Sequence, residues 1–201
     1  MLQKDTESPL TDRQHKMVDE AAKACARLVA LVAELSEIGK LDNGTAPAKT
    51  ERFDLFADLA ELARNVHEGE DREVHFQLSG LVGGATIDGD RPRLNAAFGA
   101  FFRAILREQP GAGTVVADRR LVKSDQDTTA VVVVARADDV QRAYDAVEQP
   151  FDEFRGGIGL SLPIARRVVE GAGGRVWSPT PENTDDRGLR SAVVVSIPVA
   201  E

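Results

Sequence analysis

Between Asp90 and Glu108 lies a stretch whose apolar residues leave little freedom in how the chain folds. Leu94, Ala97, Phe98, Phe101, Phe102, Ile105 and Leu106 recur at helical spacing. So greasy a stripe predicts a helix at the centre of a core, with Asp90 as its N-cap. Strand patterns surround it. Residues 72–79 alternate with period two until Gly80, Gly83 and Gly84 end the run, and Ala85–Asp88 reads as another short strand. Longer strands are expected over 113–123 and 128–136, the second carrying the run Val131–Val134. Phe53 and Leu55 suggest a short strand, and Phe56, Leu59, Ala60, Leu62, Ala63 and Val66 follow at helical spacing. Residues 137–155 are polar, acidic and ambiguous, with Tyr144 and Val147 as anchors. A late helix runs to about Gly171 with Pro163 in its first turn, where a missing N–H costs nothing. Arg175–Ser178 and Ala192–Pro198 close the series. Strands and helices mix without strict βαβ alternation. Residues 50–201 therefore read as an α+β, two-layer sandwich, a mixed sheet with helices on one face.

Residues 1–46 are a separate matter. Met17, Ala21, Ala24, Leu28, Leu31, Leu35 and Ile38 recur with gaps of four and three, the spacing of a packed helix seam. Val18, Cys25 and Val32 widen it into the stripe of a long N-terminal bundle helix. Thr11 and Gln14 form a capping box at its start, and Gly39 with Asn43-Gly44 supplies the stop. Such a helix needs a partner for its apolar face. It either docks on its own domain or, the reading we favour, pairs in a hairpin or homodimer through residues 11–40.

Composition narrows the classes of function. One cysteine among 201 residues excludes an internal disulfide framework and a structural zinc site. A formal charge of −8 argues against bulk binding to nucleic acid or anionic membrane. No apolar run reaches the roughly 18–20 residues a bilayer span needs, and the first ten residues lack a signal-peptide core. The chain reads as cytoplasmic.

The most specific string is Gly156-Gly157-Ile158-Gly159-Leu160 ahead of the late helix. Glycines before a helix let backbone amides approach an anion, and phosphate is the natural guest. The alternative is that the turn into the helix simply needs them. Three histidines offer phosphoacceptor chemistry in principle. His15 sits off the apolar seam and is followed by Lys16, so it is a phosphoacceptor candidate or a solvated polar-face residue. His67-Glu68 ends a helix inside the second domain, and His75 alternates to a strand surface. Asp138-Asp139 and Asp185-Asp186 read as solvated loop charge, Arg166-Arg167 as surface cations able to meet an anion, and Cys25 as packing.

Phe151-Asp152-Glu153-Phe154, the glycine loop, and Val168 to Val176 with its Gly173-Gly174 together resemble the catalytic ATP-binding domain of sensor histidine kinases, of the GHKL type. Gly89 to Leu94 resembles the lead-in to that family's asparagine-box helix, and Arg27 to Gly44 its second dimerisation and phosphotransfer helix. The resemblance implies a two-component protein with a response regulator or partner kinase as partner. It also implies Phe154, Gly156, Gly157, Gly159 and Leu160 as residual phosphate-loop residues.

The departures from the family pattern fall on its chemistry. Where the family places the magnesium-binding asparagine and a polar residue one turn earlier, this chain has Ala104 and Ala100, and a methyl offers a hard cation no oxygen. The first glycine box, with its adenine-binding aspartate, is replaced by Ala135-Arg136-Ala137-Asp138-Asp139, putting Arg136 at the aspartate's place. Between Phe154 and Gly156 only Arg155 remains of the ATP lid. The ten residues before Thr11 are too few for a first hairpin helix carrying the acceptor histidine. The expectation is a degenerate kinase-like docking, phosphotransfer or scaffold module that uses no cofactor. An active ATP-dependent protein-histidine kinase would need another magnesium ligand, such as Asn95 or Glu108.

Overall fold

The computed structural model describes residues 11–46, 49–66, 72–124, 127–155, 159–180 and 191–200. Helix α1 (Asp12–Asp42) opens on the capping box, Gln14 N donating to Thr11 Oγ1 at 3.4 Å and Thr11 N to Gln14 Oε1 at 2.9 Å. The order then runs β1 (Thr50–Asp54), α2 (Leu55–Ala63), β2 (Val74–Gly80), β3 (Thr86–Asp90) and α3 (Arg91–Glu108). After them come β4 (Gly113–Lys123), β5 (Thr128–Arg136), a single 3₁₀ turn over Ala137–Asp139, α4 (Val140–Asp145) and β6 (Val147–Pro150). Helix α5 (Ser161–Gly171), β7 (Arg175–Thr180) and β8 (Val193–Pro198) complete the chain.

Six strands form one mixed sheet in the order β2-β4-β5-β8-β7-β6, with β2 and β4 parallel and every other pair antiparallel. Strands β1 and β3 make a small antiparallel ribbon beside it. Gly80 ends β2 at φ +79, where a Cβ would collide with the backbone oxygen of Arg119 on β4. Only glycine fits that approach.

The main core lies on the sheet face covered by α2, α3 and α5. Phe98, Phe101, Phe102, Leu94, Ile105 and Leu106 of α3 are completely buried there against Val132 and Val134 of β5. Phe76 of β2 packs on Phe102 at 4.7 Å between ring centroids, and Phe151 meets Phe101 edge-on at 5.6 Å. The reverse face carries its own smaller cover, in which Ala143 of α4, with Val140 and Tyr144, lies on Val131, Val133, Ala135 and Val194. With both faces covered, β5 reads as a continuous valine run rather than an alternation. Asp118 anchors this side, accepting hydrogen bonds from Ser79 Oγ, Tyr144 Oη (3.0 Å) and Arg120 Nε (2.8 Å). Desolvation opposes ionisation of its carboxyl, but those donors prevail and hold it below the usual aspartate range.

Asp139, expected as solvated loop charge, is buried. Arg142, one turn on in α4, donates to it at 2.7 Å, which makes burial of the carboxylate tolerable. Asp138 is exposed as expected, while His67 and Asp185-Asp186 lie outside the described residues. Truncating Phe102 to alanine is expected to cost about 3–5 kcal/mol of stability, because the ring is enclosed on all sides. Urea unfolding of Phe102→Ala should show that loss as a lowered midpoint with an unchanged slope.

Candidate functional site

Helices α3 and α5 cross the same face of the sheet, and between them the C-terminal part of α1 closes a groove of about 320 Å³. Alanine at three positions of α3 (Ala96, Ala97 and Ala100) and Ile164 with Ala165 of α5 form its floor. Arg93 and Arg103 of α3 stand at its edges, and Glu34 and Glu37 of α1 form its far wall. Ala100 therefore faces the start of α5, where Ser161 also lines the groove. Ala104 is buried and does not line it.

The described end of the sequence-selected loop, Gly159-Leu160, leads into α5 and does not line this groove. Gly156 and Gly157 lie outside the described residues. Gly159 is exposed, and Leu160 stands at the N-cap of α5 with no side-chain cap of its own. The Leu160 amide instead donates to Glu34 Oε2 of α1 at 3.2 Å. A carboxylate from within the chain thus occupies the first amide of the helix end, where the macrodipole favours negative charge.

Phe154 is 69% exposed, its N–H turned back to Asp152 Oδ1 at 3.1 Å. Arg155 does the opposite. Only 8% of its side chain is exposed, its Nη1 donates to Ala192 O at 2.8 Å and its Nη2 to Ser178 Oγ at 3.1 Å. Its Nε has no hydrogen-bond partner and lies 3.8 Å from Glu108 Oε1, while the guanidinium stands over the Phe151 ring. The residue expected as a remnant lid is thus a buried tie between the end of α3 and the β7–β8 pair.

Neither alternative magnesium ligand reaches the groove. Asn95 points to α2, its Nδ2 donating to Asp58 Oδ2 at 3.1 Å beside the Arg91–Asp58 ion pair, and its Oδ1 is buried without a partner. Glu108 faces Arg155 and does not line the groove. What α3 offers the groove is methyl and guanidinium groups. Magnesium takes oxygen ligands, so the residues present do not fit a cation held from that helix. Arg136 ends β5 opposite Val115 and is half-buried.

The remaining candidates separate. Arg166 and Arg167 do meet anions, but those of the chain itself: Arg166 pairs with Glu153 (2.8 Å) and Glu170 (3.2 Å), and Arg167 Nε with Asp42 Oδ1 (2.6 Å). His15 is exposed near the start of α1, and His75 is exposed on β2, at the sheet edge. Cys25, expected to pack beside the seam, is exposed, as is every residue of α1 from Asp19 to Ala30. Glu34, Glu37 and Asp42 escaped the sequence reading, which followed the apolar seam of α1. The available signal was their charge, opposite to Arg93 and Arg167 on the two flanking helices.

Burial raises the Glu108 carboxyl above its usual range; Arg155 opposes the shift, Asp152 adds to it and Arg107 opposes it. The folded state therefore binds this proton more tightly than the unfolded state, and the stabilisation it contributes falls as pH rises past the ordinary glutamate range. The stability of the parent chain relative to Glu108→Gln should decline as the pH rises past the ordinary glutamate range. A difference that stays level or rises across chemical denaturation curves would contradict the assignment.

No family model and no curated protein matches the chain. Solved structures do. Histidine kinase AdeS of Acinetobacter baumannii matches over 98% of this chain and 88% of its own, at 15% identity and a TM-score of 0.58. Full-length ShkA in complex with AMPPNP matches over 96% of this chain and 40% of its own, at 19% identity and 0.63. Histidine kinase ThkA, in complex with the response regulator TrrA, matches over 99% of this chain and 55% of its own, at 16% identity and 0.60. At these identities the likeness is one of fold: a long helix followed by the histidine-kinase ATPase-like sandwich.

Proposed function

We propose that this chain is a two-component signalling module of the histidine-kinase type, degenerate at its nucleotide site and acting by docking, phosphotransfer or scaffolding. The observation that supports the reading is the chemistry of α3: Ala100 lines the groove and Ala104 is buried, so neither position that the family resemblance gives to metal-binding polar residues offers an oxygen. The α3 side of the groove presents Arg93, Ala96, Ala97, Ala100 and Arg103, with no oxygen for a metal between triphosphate and helix. Phosphoryl transfer rests on positioning and on neutralising the phosphate charge. Two further features support the same reading: the Leu160 amide is taken by Glu34, and Arg155 is tied down rather than free to cover a ligand. On this proposal no nucleotide cofactor is needed.

The fold itself is what such a module presents. The partner we propose is a response regulator or a partner kinase, the first supported by the ThkA structure, which holds a response regulator. The N-terminal part of α1 supplies the second surface. Met17, Leu28, Val29, Val32 and Leu35 are 59–71% exposed, and α1 contains no buried residue. Fully burying a side chain of the leucine or valine class is worth about 1.5–3 kcal/mol. A second copy of the same helix would cover this stripe, giving a homodimer through residues 11–40.

Calorimetric titration with a non-hydrolysable ATP analogue tests the first part. No binding is expected at millimolar nucleotide, with or without magnesium. Micromolar, magnesium-dependent binding would overturn the degenerate site and favour a working kinase. Sedimentation tests the second. The parent chain should run as a dimer, and the double substitution Leu28→Glu with Leu35→Glu should make it a monomer without loss of helical signal. A monomeric parent chain would sink the proposed interface.

A further inference from the structure

The two ends of the six-stranded sheet are unlike. Strand β6 closes one end with four exposed residues that include Glu148 and Pro150, a short edge of the kind that resists further pairing. Strand β2 closes the other, and among the described residues no strand pairs with its outer side. It is seven residues long, Val74–Gly80, and holds no Lys, Arg, Asp, Glu or Pro. In a chain of formal charge −8 this is an uncharged stretch of open edge. Its hydrogen-bonding groups alternate. Gly113 N donates to Glu73 O and Leu81 N to Arg119 O, so in the parallel register with β4 the backbone groups of His75, Gln77 and Ser79 face β4. Val74, Phe76, Leu78 and Gly80 therefore turn their N–H and C=O groups outward. The side chains of Val74, Phe76 and Leu78 lie on the helical face, the last two half-buried against the core, while His75 and Gln77 are exposed on the other face.

We infer that the outer edge of β2 pairs antiparallel with the same edge of a second copy of this chain, running one sheet through both molecules. Strand geometry selects the register. Directly opposed residues must both point their backbone groups at the seam or both away from it. Full overlap of Val74–Gly80 with itself meets that condition. Phe76 then faces the second copy's Leu78, Val74 faces its Gly80, and Gln77 lies on the two-fold axis opposite the second copy's Gln77. The helical faces of both copies lie on one side of the joined sheet, so the half-buried Phe76 and Leu78 cover one another across the seam. Charge argues for a second copy as the occupant. Two chains of the same net sign repel, and along β2 they meet with no charged side chain directly opposed. Leu81 and Val82, 45% and 79% exposed, follow Gly80 and add apolar surface at both ends of the seam. One strand pair buries little area, so the contact is weak and depends on concentration. This inference does not rest on the proposed function; the edge is open whatever the groove binds and whether or not α1 pairs.

Cysteine cross-linking reads the register. The background carries Cys25→Ser to remove the native thiol, and Leu28→Glu with Leu35→Glu to suppress pairing through α1. Opposed Cα atoms outside the hydrogen-bonded rungs of an antiparallel pair are about 4.5 Å apart, inside the roughly 4.4–6.8 Å that a disulfide spans. Gln77→Cys should therefore give a disulfide-linked dimer under diamide, its yield rising with protein concentration. His75→Cys is the control. It lies opposite the second copy's Ser79, with its own counterpart about 13 Å away along the strand, and its yield should be lower by about fivefold or more. Both positions are exposed, so neither substitution disturbs the core. A second measurement needs no substitution in β2. As the chain is concentrated, amide exchange should slow at Phe76 and Leu78 and stay level at His75 and Gln77, whose amides already bond to β4. Equal yields at the two positions, or no cross-link at Gln77→Cys with the chain at about 1 mM, overturn the pairing. Exchange at Phe76 and Leu78 that ignores concentration overturns it as well.

Discussion

The enclosure of α3 is the constraint on which the rest of the molecule depends. Phe98, Phe101 and Phe102 have no exposed surface, and they touch the sheet through Phe76 and the β6–α5 segment through Phe151. A helix with so broad a buried face must lie flat on the sheet between flanking helices, leaving only an outer stripe with Ala96, Arg103 and Arg107 exposed beyond its first turn. Its position fixes where α2 and α5 can sit, and with them both walls of the groove. Asp90 sets its start by accepting from Arg93 N at 3.1 Å, and at its end Gln109 Nε2 returns to Ile105 O at 2.9 Å.

Folding and chemistry use different faces of this one helix. The aromatic face faces the core, while Ala96, Ala97 and Ala100 face the groove. Alanine is the best helix former, so methyl groups on that face cost the helix nothing. Arg155 has a structural part, its hydrogen bonds to Ala192 and Ser178 joining the loop to β7 and to the residue before β8.

Much of the fold was legible because it follows from periodicity. The stripe from Leu94 to Leu106, the alternation of 72–79, the valine run and the Thr11 capping box each became the expected element. Residues 137–155 stayed ambiguous because their structure depends on distant partners: α4 is six residues long and holds by setting Ala143 and Tyr144 against β5 and β8. The burial of Asp139 belongs to the same class, since a side-chain ion pair with Arg142 leaves no hydrophobic signature. Of the groove, Ala100 was singled out through the family resemblance, while Leu160, singled out with the glycine string, lies beside the groove and does not line it. Glu34, Glu37 and Asp42 were not, because they lie 56 to 126 residues from the groups they bind.

The amino-acid order alone determined that there would be a core helix, a sheet with a buried central strand, a long amphipathic helix at the start and a glycine-led turn into the last helix. These are local consequences of side-chain periodicity and backbone preference. Only the tertiary structure decided which groups meet across the groove. It set the Glu34 carboxylate on the Leu160 amide, turned Asn95 to Asp58, drew Arg155 inward, and left the outer stripe of α1 in water. Contacts of that kind depend on how separate elements are placed by the packing between them, and one segment's pattern carries no record of the other's position.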